Sequence, residues 1–405
     1  MSEIIPPARN DLELLPVQHG GQQFILVKDH LGLVQEGKAI APFLYQVLCL
    51  LNGTNTIRDL QTELMRQQGG VLVSIDEVKN LIDHLDETFL LDSDRFRAAR
   101  DQVVAEFTSK KIRPSSQCGG AYPEDPSELK MRLDEIMSSQ PSDPEPEGEI
   151  KALVAPHIDL SVGNKVYSRA YQMLNYMKPA RIVVLGVGHQ MRADLFSLTE
   201  KDFDTPLGVV QSDPDRIREL LSAGGDILAG NDFAHRSEHS IEFQTIFLRH
   251  LLNGESFAII PILCGPLQTT LPEYSRDAYL DRAGPFLEKL RQVLNDQEIE
   301  TILVAGVDLS HIGLKFGHEM PAQYLKKQSE THDRHLLEHL SRLDANRFWE
   351  ESREVNDRYN VCGFSALACL LEILPPCQGT VLGYEMWNEA TTRSAVSFAA
   401  VAFTI

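Results

Sequence analysis

The sequence predicts an α/β protein whose larger part is a largely parallel sheet flanked by helices, preceded by a small α+β domain. Two observations carry this. Beyond residue 150, short apolar runs of strand length alternate with stretches of helical periodicity, the pattern of strands joined by crossover helices. Before about residue 105 the texture differs, with one strand pair followed by helices, so domains are expected at 1–105 and 106–405.

In the first domain, residues 23–27 and 31–35 alternate around Asp29-His30 and read as a short hairpin. Phe43, Leu44, Val47, Leu48 and Leu51 then recur at helical spacing up to Asn52-Gly53, and Ile57, Leu60 and Leu64 mark a second helix. A third opens with Ser74-x-x-Glu77, where each side chain can satisfy the other's free backbone N–H, and continues through Val78, Leu81, Ile82 and Leu85. This hairpin, the turn at 52–54 and the stretch 85–91 resemble, over residues 20–95, the PqqD-like domains that bind peptide substrates of radical-SAM enzymes. A winged-helix-like domain that merely packs as a structural module fits the same pattern.

Residues 138–149 carry Pro141, Pro144 and Pro146 among acidic side chains and are expected to form an extended surface loop. Strands are then expected at 151–155, 182–186, 257–263, 302–306, 381–384 and 395–403. Helices are expected near 162–177, 213–222, 239–252, 281–295, 321–341 and 361–373. In such sheets ligands bind beyond the carboxyl ends of the strands. Three strand ends there run into histidine: Pro156-His157, Gly188-His189 and Asp308-Leu-Ser-His311. Convergent neutral imidazoles plus an anionic group make a transition-metal site with open positions.

These residues also carry a family resemblance. Cys118-Gly-Gly-Ala-Tyr-Pro123, Ala155-Pro-His157, Leu185-Gly-x-Gly-His189, Glu238-His-Ser-Ile-Glu242, Ile260-Pro-Ile262, Asp308-Leu-Ser-His311 and Cys362-Gly363 occur in the order and approximate spacing of the Memo family, over about 113–405. The resemblance implies a fold shared with class III extradiol ring-cleavage dioxygenases. It implies His157, His189 and Cys362 as metal ligands, with Asp308 and His311 beside them. A thiolate where those dioxygenases place a carboxylate favours iron(II), copper(I) or zinc over magnesium. Cys362 also reads as a small apolar residue of the 361–373 helix.

The chain departs from the common family pattern at the rim: Ile158-Asp159-Leu160 replaces Ala-Gly-Tyr after His157, and Gly186-Val-Gly188 replaces the usual Gly-Pro-Ser before His189. Asp159 reads best as a cap for the helix expected from Val162. Glu238 and His239 are candidate pocket residues, the carboxylate orienting an imidazole or accepting a proton. His235-Arg-Ser-Glu238-His239 also fits the H-x-x-E-H zinc-hydrolase pattern, although apolar helical periodicity starts only at Ile241. No dinucleotide fingerprint or serine-nucleophile elbow is present, and His332, His335 and His339 read as a solvated polar helix face.

Two function classes follow. One is a metal-dependent redox or oxygen-using enzyme holding iron or copper, with zinc as a further candidate. There His157, His189 and Cys362 bind metal, and His311, Asp308, His239 and Glu238 handle protons and orientation. The other is a non-catalytic adaptor that binds a peptide or phosphopeptide in the same cleft. Partners implied by the resemblance are a radical-SAM protein and an AMMECR1-like protein. With 58 acidic against 38 basic side chains the formal charge is -20, which opposes nucleic acid and anionic membranes and weakens the case for phosphate capture. The first residues have neither signal-peptide nor targeting character, and six scattered cysteines suit a reducing compartment, so a cytoplasmic location is expected.

Overall fold

The computed structural model describes residues 4–67, 69–141 and 147–405. The chain forms two compact units, Met1–Ser109 and Lys110–Ile405. The helix Asp94–Thr108 spans the position where the sequence reading puts its boundary. No helix among the described residues is long and apolar enough to cross a membrane.

In the first unit the hairpin differs from the expected one. Strands Glu13–His19 and Gln22–Lys28 pair antiparallel, and the short strand Ala39–Ile40 adds to the second of them. Gly20 and Gly21, with φ of 58° and 80°, supply the two consecutive left-handed residues that a two-residue turn needs. Residues 31–35 form no strand because Asp29 gathers their backbone: its carboxylate accepts from the N–H groups of Leu31, Leu33 and Val34. The same carboxylate pairs with Arg9 at 2.7 Å, both side chains being almost fully buried. Helices Pro42–Leu50, Ile57–Gln67 and Ile75–Glu87 follow, and the Ser74–Glu77 capping box is complete in both directions. They enclose a core of Val27, Ile40, Val47, Leu60, Val78 and Leu85.

The second unit is a mixed α/β structure with a mostly parallel central sheet. Strands Ile150–Ala155, Thr301–Gly306, Arg181–Val187 and Ala258–Cys264 lie side by side and parallel. The chain's last two strands, Gln378–Glu389 and Ser394–Thr404, form an antiparallel hairpin whose second arm runs antiparallel to Ile150–Ala155. The four central strands are apolar on both faces because both faces are covered. Ala152, Val154, Val183, Leu185, Leu303 and Ala305 point to one layer with the helices Arg276–Leu294 and Phe364–Ile373. Leu153, Ile182, Val184, Ile302 and Val304 point to the other, with Asn164–Gln172 and His239–Leu251. The period of two in the strands thus decides which helix each side chain meets.

A rim at the carboxyl ends of these strands therefore receives residues from both layers. Of the expected acidic loop at 138–149, residues 142–146 lie outside the described residues, Ser138 caps the helix Pro126–Met137, and the strand Ile150–Ala155 begins directly after 149. Asp159 does not cap a helix: its carboxylate accepts from the N–H and hydroxyl of Ser161, two residues on, and the following helix starts at Asn164 behind an uncapped Gly163. The 332–339 face is not simply solvated. His332 is buried, and both it and His335 turn their Nδ1 to Glu351, at 3.0 and 3.3 Å.

Candidate metal centre

His157 follows the strand Ile150–Ala155 by two residues and is buried. Its backbone N–H donates to the Asp308 carboxylate at 3.0 Å, and its ring Nδ1 lies 2.9 Å from the Gly306 carbonyl oxygen. A carbonyl can only accept, so Nδ1 carries the proton and Nε2 keeps its lone pair for the cleft. His189 leaves the strand Arg181–Val187 in the same way. Glu238 accepts from its backbone N–H at 3.1 Å and from its Nδ1 at 3.0 Å, again leaving Nε2 free.

Cys362 comes from the opposite layer, two residues before the helix Phe364–Ile373. Its Sγ lies 3.6 Å from His157 Nε2 and 3.5 Å from the Asp308 carbonyl oxygen. One ligand atom from each of His157, His189 and Cys362 fits within 4.8 Å of the others. Ligands held about 2.0–2.3 Å from a shared zinc-sized ion lie up to about 4.6 Å apart, a range that includes the 3.6 Å between Cys362 Sγ and His157 Nε2. His189, Glu238 and His239 satisfy the same criterion. The His157, His189 and His239 rings form a triangle with centroid separations of 5.1, 5.0 and 5.0 Å.

The surroundings set the protonation of these groups. Burial, reinforced by the neighbouring His239 and His189, holds His157 well below the usual histidine range, so it stays neutral and able to ligate. For His189 burial acts downward, but Glu238 outweighs it and the net shift is upward. Burial alone would raise Glu238; the His189 imidazole and the Ser240 N–H among others hold it well below the carboxylate range. Burial pushes the Cys362 thiol well up, Asp308 adding to it. A buried thiol of this kind ionises readily only beside a cation.

Asp308 sits behind the ligand cluster with Oδ2 3.7 Å from His157 Nε2. Burial pushes its carboxyl up to about 7 against the opposing His157 N–H bond. A carboxyl raised above its ordinary 3.8 stabilises the fold while protonated, and that contribution drains away as pH rises from near 4 to about 7. Urea unfolding of metal-free protein is therefore expected to show a smaller loss of stability across this window in Asp308→Asn than in the parent. An equal loss in both would mean that Asp308 does not set it.

His311 lines a cleft of about 390 Å³ together with His189 and Cys362. Its Nδ1 meets the Leu309 carbonyl at 2.9 Å, and burial pushes it down to about 4. Behind this loop the buried Asp333 accepts from Ser310 and Ser397 hydroxyls at 2.6 Å each and from Tyr384 at 2.8 Å. Asp333 gave no sign in the sequence, where it is one acid in a charged helix.

The H-x-x-E-H reading is corrected by the backbone. His235 ends the short 3-10 turn Phe233–His235 and points Nε2 at the Ser197 carbonyl, 3.0 Å away, whereas His239 begins the helix that Glu238 caps. The two histidines do not share a helical turn, and among the described residues His235 is in neither possible metal-holding group. Glu242, which closes the Glu238-His-Ser-Ile-Glu242 segment, has a different partner. Glu242 forms a fully buried ion pair with Arg113 and accepts from Ser116, Gln117 and the Tyr122 hydroxyl, tying the 113–122 segment to the helix. Arg113, adjoining a proline in a polar stretch, was not legible as its counterion.

A family model described as "Memo-like protein" matches residues 113–402. A MEMO1 family protein from Aquifex aeolicus is 31% identical over 391 residues, 96% of this chain and 97% of its own length. The MEMO1 family protein TTHA0924 from Thermus thermophilus is 28% identical over 343 residues, 84% of this chain and 97% of its own. A crystal structure of the uncharacterized protein JW3007 from Escherichia coli K12 is 14% identical with a TM-score of 0.38, covering 63% of this chain and 99% of that one. The family match begins after the first unit, whereas the Aquifex alignment extends into that unit.

Proposed function

The chain belongs to the Memo-like protein family, and from that premise we propose that its second unit is a metal-dependent redox or oxygen-using enzyme. The observation that carries this reading is the convergence of donors on His157, His189 and Cys362 from three separate segments, two of which, His189 and Cys362, line one cleft. Both imidazoles are already oriented by hydrogen bonds on their other nitrogen, to Gly306 and to Glu238. Two imidazoles and a thiolate suit iron(II), copper(I) or zinc, and iron or copper bound there would supply one-electron and oxygen chemistry. The dioxygenase-like fold that the family resemblance implies belongs to the same proposal.

The protein's own groups have defined parts. His311, neutral with its Nδ1 proton given to Leu309, offers Nε2 as acceptor for a proton from a ligand hydroxyl in the cleft. Asp308 holds the His157 backbone in place, and Glu238 does the same for both the backbone and the ring of His189. A radical-SAM protein and an AMMECR1-like protein are the proposed partners, the first unit presenting a peptide to the former.

Anaerobic purification followed by elemental analysis is expected to find near-stoichiometric iron or copper, and His157→Ala, His189→Ala and Cys362→Ala are each expected to lose it. Metal retained in all three variants would sink the site. Oxygen consumption by the metal-loaded chain with catechols and small peptides tests the enzyme reading; full metal occupancy with no turnover on any of them would favour a peptide-binding adaptor.

A further inference from the structure

The charge of the cleft wall is unusual for a chain that pairs so many of its acids. Seventeen residues line the cleft, and among them there is no Lys or Arg; apart from the histidines, the one ionisable oxygen acid is Asp357. Much of the remaining wall is apolar, with Met191, Leu267, Phe316 and Phe364. Lys315, next to Phe316, is turned to Glu389 at 3.2 Å. Asp308 and Glu238 lie just behind the histidines, Asp308 accepting from the His157 backbone N–H and Glu238 from the His189 ring.

Asp357 is held at the rim by a loop that takes an uncommon path. Asn356, Asp357 and Asn360 all have left-handed backbone, with φ of 50°, 49° and 49°. Asn and Asp tolerate this region better than other side chains do, and the loop is braced: the Asn360 amide donates to the carbonyls of His311 and Phe316, each at 3.2 Å. One Asp357 oxygen accepts from the Val361 N–H at 3.1 Å and the other from the Gln268 amide at 2.7 Å. Each oxygen keeps a further lone pair. Asp357 is only partly buried and Gln268 is exposed, so a ligand can reach the carboxylate.

We propose that this cleft is selective for small ligands with an apolar body and a cationic nitrogen, the nitrogen being received by Asp357, and that it rejects anionic ligands such as phosphates. An ammonium or similar donor on Asp357 forms a charge-assisted hydrogen bond and compensates a carboxylate that is partly desolvated. Burial pushes Asp357 up to about 6, so it is mainly ionised at pH 7.5. A phosphate or carboxylate in the same position would meet Asp357 with no Lys or Arg among the described lining residues to offset it. The inference rests on the reading of this cleft as the ligand site beside the metal donors, and it deepens that reading by naming the ligand class.

Three matched probes, 2-phenylethylamine, 2-phenylethanol and phenylacetate, titrated calorimetrically into the purified full chain at pH 7.5, test it. The amine is expected to bind roughly ten- to hundredfold more tightly than the alcohol, with the carboxylate weakest. Asp357→Asn, which keeps an acceptor for the Val361 N–H, is expected to abolish the amine's advantage over the alcohol. Gln268→Lys, an exposed change that places a cation on Asp357, is expected to bring the carboxylate level with the amine. Equal binding of amine and carboxylate by the parent, binding of none of the three, or an amine preference that survives in Asp357→Asn would each overturn the proposal. Elemental analysis of the same samples separates the two claims. Metal without an amine preference defeats the ligand class alone, and an amine preference without metal defeats the metal reading alone.

Discussion

Glu242→Ala is expected to destabilise the second unit by about 3–5 kcal/mol, because it leaves the Arg113 guanidinium buried without its counterion. Both side chains are fully buried, and the carboxylate also accepts from the Ser116 N–H, the Gln117 N–H and the Tyr122 hydroxyl. Burial opposes ionisation of Glu242, yet Arg113 and these donors hold it below the ordinary carboxylate range, so the pair is charged in the folded state. In a unit of this size the melting temperature should fall on the order of 10 °C. The double variant Arg113→Met with Glu242→Leu should be less damaging than Glu242→Ala alone, since it removes the stranded charge along with its partner. Calorimetric melting that ranks the double variant below the single one would show that the network's hydrogen bonds, rather than the unpaired charge, dominate.

Glu238→Gln is expected to weaken metal binding roughly 10–100-fold without removing any of the three proposed ligands. Glu238 performs three tasks at once: it receives the His189 backbone N–H, the His189 ring and the Ser240 N–H that starts the helix His239–Leu251. Glutamine can still accept one or two of these hydrogen bonds, but it has no charge to hold the His189 ring or strengthen it as a ligand. In metal-free protein, burial would then act on His189 unopposed by Glu238, and its titration should move downward from its present raised position. Chelator competition measures the affinity and proton NMR the titration. If the histidine titration moves while metal affinity stays unchanged, His189 is not a ligand.

The central strands were legible because both of their faces are buried, which makes the apolar runs at 182–186 and 302–306 continuous. The capping box at Ser74 was legible because both partners lie three residues apart. The N-terminal hairpin was misplaced by one strand. Alternation extended past Asp29, and nothing local shows that its carboxylate is committed to Arg9, twenty residues earlier in the chain. The H-x-x-E-H motif likewise matched in spacing and failed in geometry, because a 3-10 turn ends at His235 before the helix starts.

By itself the sequence determined the apolar periods, the order of the central strands, and the appearance of His157, His189 and His311 after strand-like runs, since each of these depends on neighbours within a few residues. Only the tertiary structure decided which nitrogen each histidine presents, that Cys362 crosses from the opposite layer to lie 3.6 Å from His157, and that Asp357 is the acid on the cleft wall. The physical reason is distance along the chain. Gly306 orients His157, Glu238 orients His189 and Gln268 meets Asp357 across separations of 149, 49 and 89 residues, and contacts of that range leave no periodic trace in the sequence.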